Sequence, residues 1–584
     1  MAAVAFAIGA IVASNGGSDA KRSLAERFVA AWTRRDYAAM YLELDSASRE
    51  ATNVAEFTQA YRSALATATA TRARAVGAAR EAQGGRVEVP VRVRTRLFGT
   101  LSLTFVLPVS GGEHGPAIAW SRSLAFPGLG PGETLVRHTT MPPRAKLLAR
   151  GGSVLAEGAA SESSPRVYPL GEAAGALVGS VGRPQGANRV ALEEAGVPST
   201  AEVGVRGLEL ALDSRLRGTP GGSLLAEPPP GSGPARVLAS ASAHAAAPVT
   251  TTISPAVEQA AVSALGSQYG GIVALNPASG EILGLAGIAI DSVQPPGSTF
   301  KMVTVTGVLE AHIANRGTTF PFATFTTLDG VKLSNANEES CGGTLEAAFA
   351  TSCNSVFAPL GVKLGAERLV RTAESFGFNH APGLEGAAES SLPRASEIHG
   401  ELALGSTAIG QGKVQASALE MALIAATIAD GGVRPTPTFL PGSHTHGPRA
   451  MSTSVAHTLR RLMIGVVRSG TGTAAAIPGV VVAGKTGTAE LKSQCTKAQS
   501  EELEKASEGG QGEEAGSSRS SEASCAANTA EPSNTDAWFA AFAPASAPKV
   551  ALAVLLVKDG AGGTTAAPVA REVLEAALRA GSRG

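Results

Sequence analysis

Aromatic residues are scarce, at 4% of this 584-residue chain. A surface that stacks nucleic-acid bases needs several exposed rings, so the composition argues against that class of function. An excess of either charge is missing too, with 49 lysines and arginines against 49 aspartates and glutamates. A balanced chain gives no electrostatic reason to expect a nucleic-acid partner. Only four cysteines occur, Cys341, Cys353, Cys495 and Cys525, with no C-x-x-C pair and no H-E-x-x-H helix, which argues against a zinc site. Four thiols allow three pairings. In an oxidising compartment Cys341–Cys353 is the favoured pair; small buried free thiols are the alternative reading. Residues 1–13 are nearly all apolar, yet a spanning helix needs about 20 residues, and neither a basic segment nor a clear cleavage site flanks them. They read as the outer end of a membrane anchor that starts upstream, the alternative being a frayed apolar tail.

The chain does have the apolar content of a folded protein, 44% hydrophobic against 17% charged. Its length suits three or four domains of about 150 residues. A helix capped by Ser18 or Asp19 and running to about 34 carries Leu24, Phe28 and Trp32 on one stripe. Met40, Tyr41 and Leu44 mark a second helical stretch. Val87, Val89, Val91 and Val93 alternate with polar residues, and Leu101, Leu103, Phe105 and Leu107 do so after the Gly99-Thr100 turn, which predicts paired strands. Residues 18–128 therefore read as a small α+β domain. Residues 129–250 are irregular, and the Pro- and Gly-rich stretch 228–234 reads as a linker or surface loop. From 251 a larger α/β domain is expected to run to 584. Within it, Gly271-Ile272-Val273-Ala274-Leu275, a turn at 276–280 and a returning strand at 282–285 predict a hairpin. Residues 491–535 are rich in Ser, Gly, Ala and Glu and read as a low-complexity insert, whose base Cys495 and Cys525 could tie together.

Three short segments carry chemistry. Pro295-Pro296-Gly297 precedes Ser298, and an apolar run follows Lys301, so a helix starts at Ser298 and puts Lys301 one turn on, on the same face. A serine hydroxyl is a weak nucleophile until a base takes its proton, and a lysine serves once burial or neighbouring charge lowers its pKa. Spacing alone is weak evidence, since Ser18 and Lys21 share it. The second segment, Ser352-Cys353-Asn354, offers a proton-relaying hydroxyl beside an amide. The third, Lys485-Thr486-Gly487-Thr488, ends an apolar run, as a strand bordering a site and able to hold a carboxylate would. Residues 479–486 also match the G-x-x-x-x-G-K-T phosphate loop. That loop needs its strand before the first glycine and a helix after the lysine; here valines separate the glycines and no helix is expected, so a nucleotide site is rejected.

In this order and spacing the three segments resemble the signatures of the penicillin-binding protein and serine β-lactamase superfamily. The hairpin at 271–282, Ile409-Gly410-Gln411-Gly412, Ser469-Gly470-Thr471-Gly472-Thr473 and the strand at 536–544 fit the same resemblance. Upstream, residues 120–127 resemble the end of the N-terminal domain of methicillin-resistance-type members, a nuclear-transport-factor-like cone. Residues 143–150 and Gly207-Leu208-Glu209 resemble the pedestal, or dimerisation, domain of class B members. The implied architecture is a multidomain α+β chain: anchor remnant to 17, cone over 18–128, pedestal over 129–250, and a transpeptidase domain with a central antiparallel sheet over 251–584.

The resemblance implies a D,D-transpeptidase that cross-links peptidoglycan stem peptides ending in D-Ala-D-Ala and is acylated by β-lactams. Ser298 would attack, Lys301 would take its proton, and Ser352, linked to Lys485, would protonate the leaving D-alanine. Asn354 would hold the substrate amide. Thr486, Gly487 and Thr488 would bind substrate, with the N–H groups of Ser298 and Thr488 as oxyanion hole. No metal or organic cofactor is needed. The implied location is the extracytoplasmic face of the bacterial membrane, with a single-pass anchor and a membrane-embedded glycan polymerase as partner. One rival is a serine β-lactamase, for which Glu389-Ser390-Ser391-Leu392-Pro393 nearly fits an E-x-x-L-N motif but has proline where asparagine would help hold water. The other is a penicillin sensor or non-catalytic scaffold.

Overall fold

The computed structural model describes residues 2–112, 115–161, 164–169, 175–442, 446–491 and 534–581. The insert expected at 491–535, including Cys495 and Cys525, lies outside the described residues but for its ends. Helix α1 (Ala2–Arg34) begins well before the expected cap at Ser18 or Asp19. The upstream residues are mostly good helix formers, and the Gly16-Gly17 pair, at about 1 kcal/mol each, does not stop them. Among the described residues, no helix is long and apolar enough to cross a membrane.

The stripe Leu24, Phe28 and Trp32 of α1 is buried against a sheet, with Trp32 edge-on to Phe105 at 4.8 Å. Helix α2 (Val54–Thr67) starts at Asn53, whose side chain accepts from the Ala55 and Glu56 N–H groups. Strands β1 (Arg86–Thr95) and β2 (Thr100–Gly112) pair antiparallel, with every valine of β1 turned into the core. Helices on one face of this curled sheet give the cone.

The pedestal continues from it. Strands β3 (Thr134–Thr140), β4 (Gly221–Glu227) and β5 (Arg236–Ala241) form a sheet of order β5-β4-β3. Residues 228–234 are thus the turn between β4 and β5, the surface-loop reading and not a linker between domains. Leu224 of β4 belongs to the core of the cone. Elsewhere in the pedestal, Arg144 meets Glu209 and Asp213 at 2.7 Å each, and Arg166 meets Glu209 at 2.7 Å.

Helix α3 (Pro255–Leu265) leads into a five-stranded antiparallel sheet. Its strands are β6 (Gly270–Leu275), β7 (Ile282–Gly287), β8 (Ala483–Glu490), β9 (Thr535–Ala543) and β10 (Val550–Leu556), in the order β7-β6-β10-β9-β8. Successive residues of β9 enter two different cores: Trp538, Ala540 and Phe542 face one, Ala537, Phe539 and Ala541 the other. Helices α4 (Lys301–Glu310), α5 (Leu345–Ala350), α6 (Asn354–Leu364), α7 (Ala418–Ala429) and α8 (Thr453–Ser469) build the first layer. Helix α3 and the C-terminal α9 (Ala566–Gly581) cover the other face. Strand β8 is left at the edge, where the second and third motifs meet the first.

Candidate active site

The turn that carries Ser298 is pinned from two sides and braced from within. Ser298 lies in a single 3₁₀ turn, Gly297–Phe300, that runs directly into α4. Gly297 donates to the Gly410 carbonyl at 3.0 Å, Thr299 Oγ1 to Pro296 O at 2.6 Å, and Trp538 Nε1 to Pro295 O at 2.8 Å. Gly297 has φ +51°, and a Cβ there would lie 2.7 Å from the Thr488 carbonyl oxygen. Only glycine permits this approach of β8, which brings the Ser298 and Thr488 backbones side by side.

Lys301 is fully buried, while Ser298, Ser352 and Asn354 remain partly accessible. Its Nζ lies 2.7 Å from both the Ser352 carbonyl oxygen and Asn354 Oδ1, 2.9 Å from Ser298 Oγ and 3.2 Å from Ser352 Oγ. The two carbonyl oxygens can only accept. A neutral amine has two N–H groups for them and keeps one lone pair, which is left to accept from the Ser298 hydroxyl. Ser352 makes this possible by adopting φ +61°, a strained left-handed turn between α5 and α6 that aims its carbonyl and hydroxyl at the same lysine. The Cys341–Cys353 disulfide holds the next residue of that turn. Asn354 is fixed in turn by donating Nδ2–H to Ser334 O at 2.9 Å.

Lys485 stands behind Ser352, donating to its Oγ at 2.8 Å and to the Thr486 carbonyl at 2.9 Å. Burial pushes Lys485 down to about 7. Burial, and then the charge of Lys485, hold Lys301 well below the ordinary lysine range. By contrast Lys21, with the same Ser-to-Lys spacing, is half-exposed inside α1 and has no motif partner. Gly484, Lys485 and Thr486 lie within β8, so the glycine-lysine-threonine run is extended backbone and not a phosphate loop.

Three supporting residues lie outside the three motifs, and of these only Thr471 belongs to a segment that the resemblance singled out. Thr471 Oγ1 shares a hydrogen with Thr486 Oγ1 at 2.5 Å, and its N–H donates to Ala350 O at 3.0 Å, so it ties the α5 end to β8. Asn335 Oδ1 accepts from the Ser355 N–H at 2.8 Å and steadies the start of α6. Gly562 lies so close to β8 that a Cβ would sit 2.3 Å from the Gly487 oxygen. For Gly562 the one available hint was the Gly562-Gly563 pair after the last strand. Glu389 is exposed, and residues 390–392 are tied to 415–417 and Asn379.

Comparison with known proteins supplies the family. Residues 270–506 match the penicillin binding protein transpeptidase domain, 158–228 the penicillin-binding protein dimerisation domain, and 20–133 the NTF2-like N-terminal transpeptidase domain. A peptidoglycan D,D-transpeptidase of Mycobacterium tuberculosis, PbpA, is 33% identical over 404 residues, 57% of this chain and 72% of that protein. The chain belongs to the class B penicillin-binding protein family. Solved structures of the family agree. The penicillin G acyl-enzyme complex of penicillin-binding protein A from M. tuberculosis superposes with TM-score 0.54 and 29% identity, covering 75% of this chain and 99% of that one. A D,D-transpeptidase domain from Eggerthella lenta gives TM-score 0.57 and 28% identity, covering 76% and 100%. The N-terminal NTF2-like unit, the pedestal and the central-sheet domain are therefore the three parts of a class B penicillin-binding protein, as the sequence implied.

Proposed function

We propose that this class B penicillin-binding protein is a serine D,D-transpeptidase acting through an acyl-enzyme on Ser298. The observation that carries the reading is the buried Lys301 amine, its pKa held well below the ordinary lysine range, with Nζ 2.7 Å from two carbonyl oxygens and 2.9 Å from the Ser298 hydroxyl, an arrangement in which a neutral amine has its lone pair free for that proton. Ser298 Oγ bonds to the carbonyl carbon of the penultimate D-alanine as its proton passes to Lys301, a general-base step worth about 10²–10⁴ in rate. The Ser298 and Thr488 N–H groups take the oxyanion; one such donor is typically worth about 10²–10³. The C–N bond to the terminal D-alanine then breaks. Ser352 gives its proton to the leaving nitrogen and is re-protonated from Lys485, while Asn354 holds the substrate amide. Thr486 and Thr488 hold the terminal carboxylate across the narrow gap that Gly487 leaves. An amine from a neighbouring stem peptide attacks the acyl-enzyme and restores Ser298. β-Lactams would acylate the same oxygen. The reaction would take place on the extracytoplasmic face of the membrane, alongside a glycan polymerase.

Mass spectrometry after exposure to penicillin G tests this directly. The adduct is expected on the peptide containing Ser298, persisting for many minutes, and Ser298→Ala should carry none. Rapid release of hydrolysed drug would instead establish the β-lactamase reading, which the exposed Glu389 does not favour. An adduct on another serine would refute the site.

A further inference from the structure

A cavity of about 1020 Å³ lies between the N-terminal cone and the pedestal, and none of its lining residues belongs to the three motifs. Its walls are the segment after α1, the end of α2 with the segment after it, the β1–β2 turn, β3, and residues 190–199. Arg35, Arg62, Arg96 and Arg137 line it. Among the described residues, none of the four makes a close bond to a carboxylate. Arg35 reaches the Thr71 carbonyl at 3.5 Å, Arg137 the Ala66 carbonyl at 3.5 Å, and Arg62 lies over the Tyr37 ring at 6.0 Å. Arg96 stands 3.6 Å from Glu194. The other acid in the lining, Glu193, is held at 3.1 Å by Arg189 of its own helix.

The buried or firmly held arginines elsewhere are paired, although exposed ones such as Arg74 are not. Arg144, Arg166, Arg236 and Arg434 each meet a carboxylate at between 2.5 and 2.9 Å. Four guanidinium groups gathered in one concave space repel one another, and low-dielectric walls concentrate their field. Arg137 is half-buried there, and burial pushes its guanidinium below the ordinary value, with the charge of Glu193 only partly opposing it. The planar donor forks of arginine match carboxylate and phosphate oxygens two at a time. A volume of this order accommodates a ligand of several residues or sugar units.

We propose that the crevice is a binding site for an oligo-anion carrying at least two carboxylate or phosphate groups, set apart from the catalytic cleft. The cone and pedestal both contribute to it, so a bound anion bridges the two units through their arginines.

Calorimetric titration of the full chain at low salt tests the site, with triglutamate as the carboxylate probe and tripolyphosphate as the phosphate probe. At least one should bind with one-to-one stoichiometry, and the tighter of the two identifies the acid group. The double variant Arg62→Ala, Arg137→Ala should weaken that binding tenfold or more, whereas Arg74→Ala, exposed on the same domain, should not change it. Should the double variant fold poorly, Glu194→Gln, which removes a negative charge from the wall, should tighten binding severalfold. Binding of neither probe, equal weakening by Arg74→Ala, or no tightening by Glu194→Gln would overturn the site.

Discussion

The candidate role of Lys301 rests on surroundings that press against its charge. Two carbonyl oxygens at 2.7 Å would welcome a protonated amine, but full burial and the second lysine outweigh them. Both lysines are depressed, so the folded state binds fewer protons at these positions than the unfolded chain. Their burial therefore costs stability at acid and neutral pH, and for Lys485 the cost is recovered as pH rises from about 7 toward the ordinary 10.5. Acylation should be bell-shaped in pH. In the proposed mechanism the acid limb is the protonation of Lys301, and the alkaline limb, near 7, is the loss of the Lys485 proton that would be returned to Ser352. Stopped-flow penicillin acylation from pH 5 to 9 checks this, and a rate that is flat across the range would contradict it. At the same scale, Thr471 orders the Thr486 hydroxyl. Thr471→Val should lower acylation efficiency roughly three- to tenfold, as expected for one neutral hydrogen bond. Thr471→Ser should restore it, with the effect mainly in substrate binding.

At the scale of elements, the catalytic strand is shaped by what stands behind it. Strand β8 approaches the nucleophile turn only because Gly297 and Gly487 offer no side chain, and Trp538 on β9 holds Pro295 from the other side. The turn at Ser352 is clamped by the disulfide at Cys353 and by Asn354 on Ser334. The pedestal is fixed by an ionic cluster. Glu209, wholly buried, satisfies Arg144 and Arg166 together, while Arg144 also holds Asp213. Removing one partner of such a cluster leaves a buried cation uncompensated. Glu209→Ala should cost about 3–5 kcal/mol in urea unfolding, far more than an exposed pair such as Arg571–Glu575. The sequence singled out Arg144 and Glu209 only through resemblance, since 65 residues separate them and no local pattern links them.

At the scale of the whole molecule, the cores do not follow the three sequence-level domains. Leu147, Leu177 and Leu208 of the pedestal share one continuous core with Val273 and Phe300 of the transpeptidase unit. The cone has its own core, into which β4 of the pedestal inserts Leu224. Calorimetry should thus resolve two main transitions, one for the cone and one for pedestal and transpeptidase unit together. Covalent penicillin should raise the second and leave the first in place. A shift of both by the same amount would mean that the cone is thermodynamically fused to the rest.

The sequence by itself determined the family resemblance, the candidate site segments and the order in which they arrive. The three motif segments, the apolar stripe of α1 and the valine alternation of β1 are local patterns, and local patterns survive without a fold. The inner strands β9 and β10 were harder to read, because both faces are buried and their apolar runs lack alternation. Only the tertiary structure decided that Lys301 is buried beside a second lysine, which lowers its pKa, that Ser352 turns left-handed toward it, and that Thr471 and Gly562 reach β8. It also placed four arginines from distant segments around one crevice. Each of these depends on burial or on contacts between residues far apart in the chain, and neither quantity is written in a run of neighbouring residues.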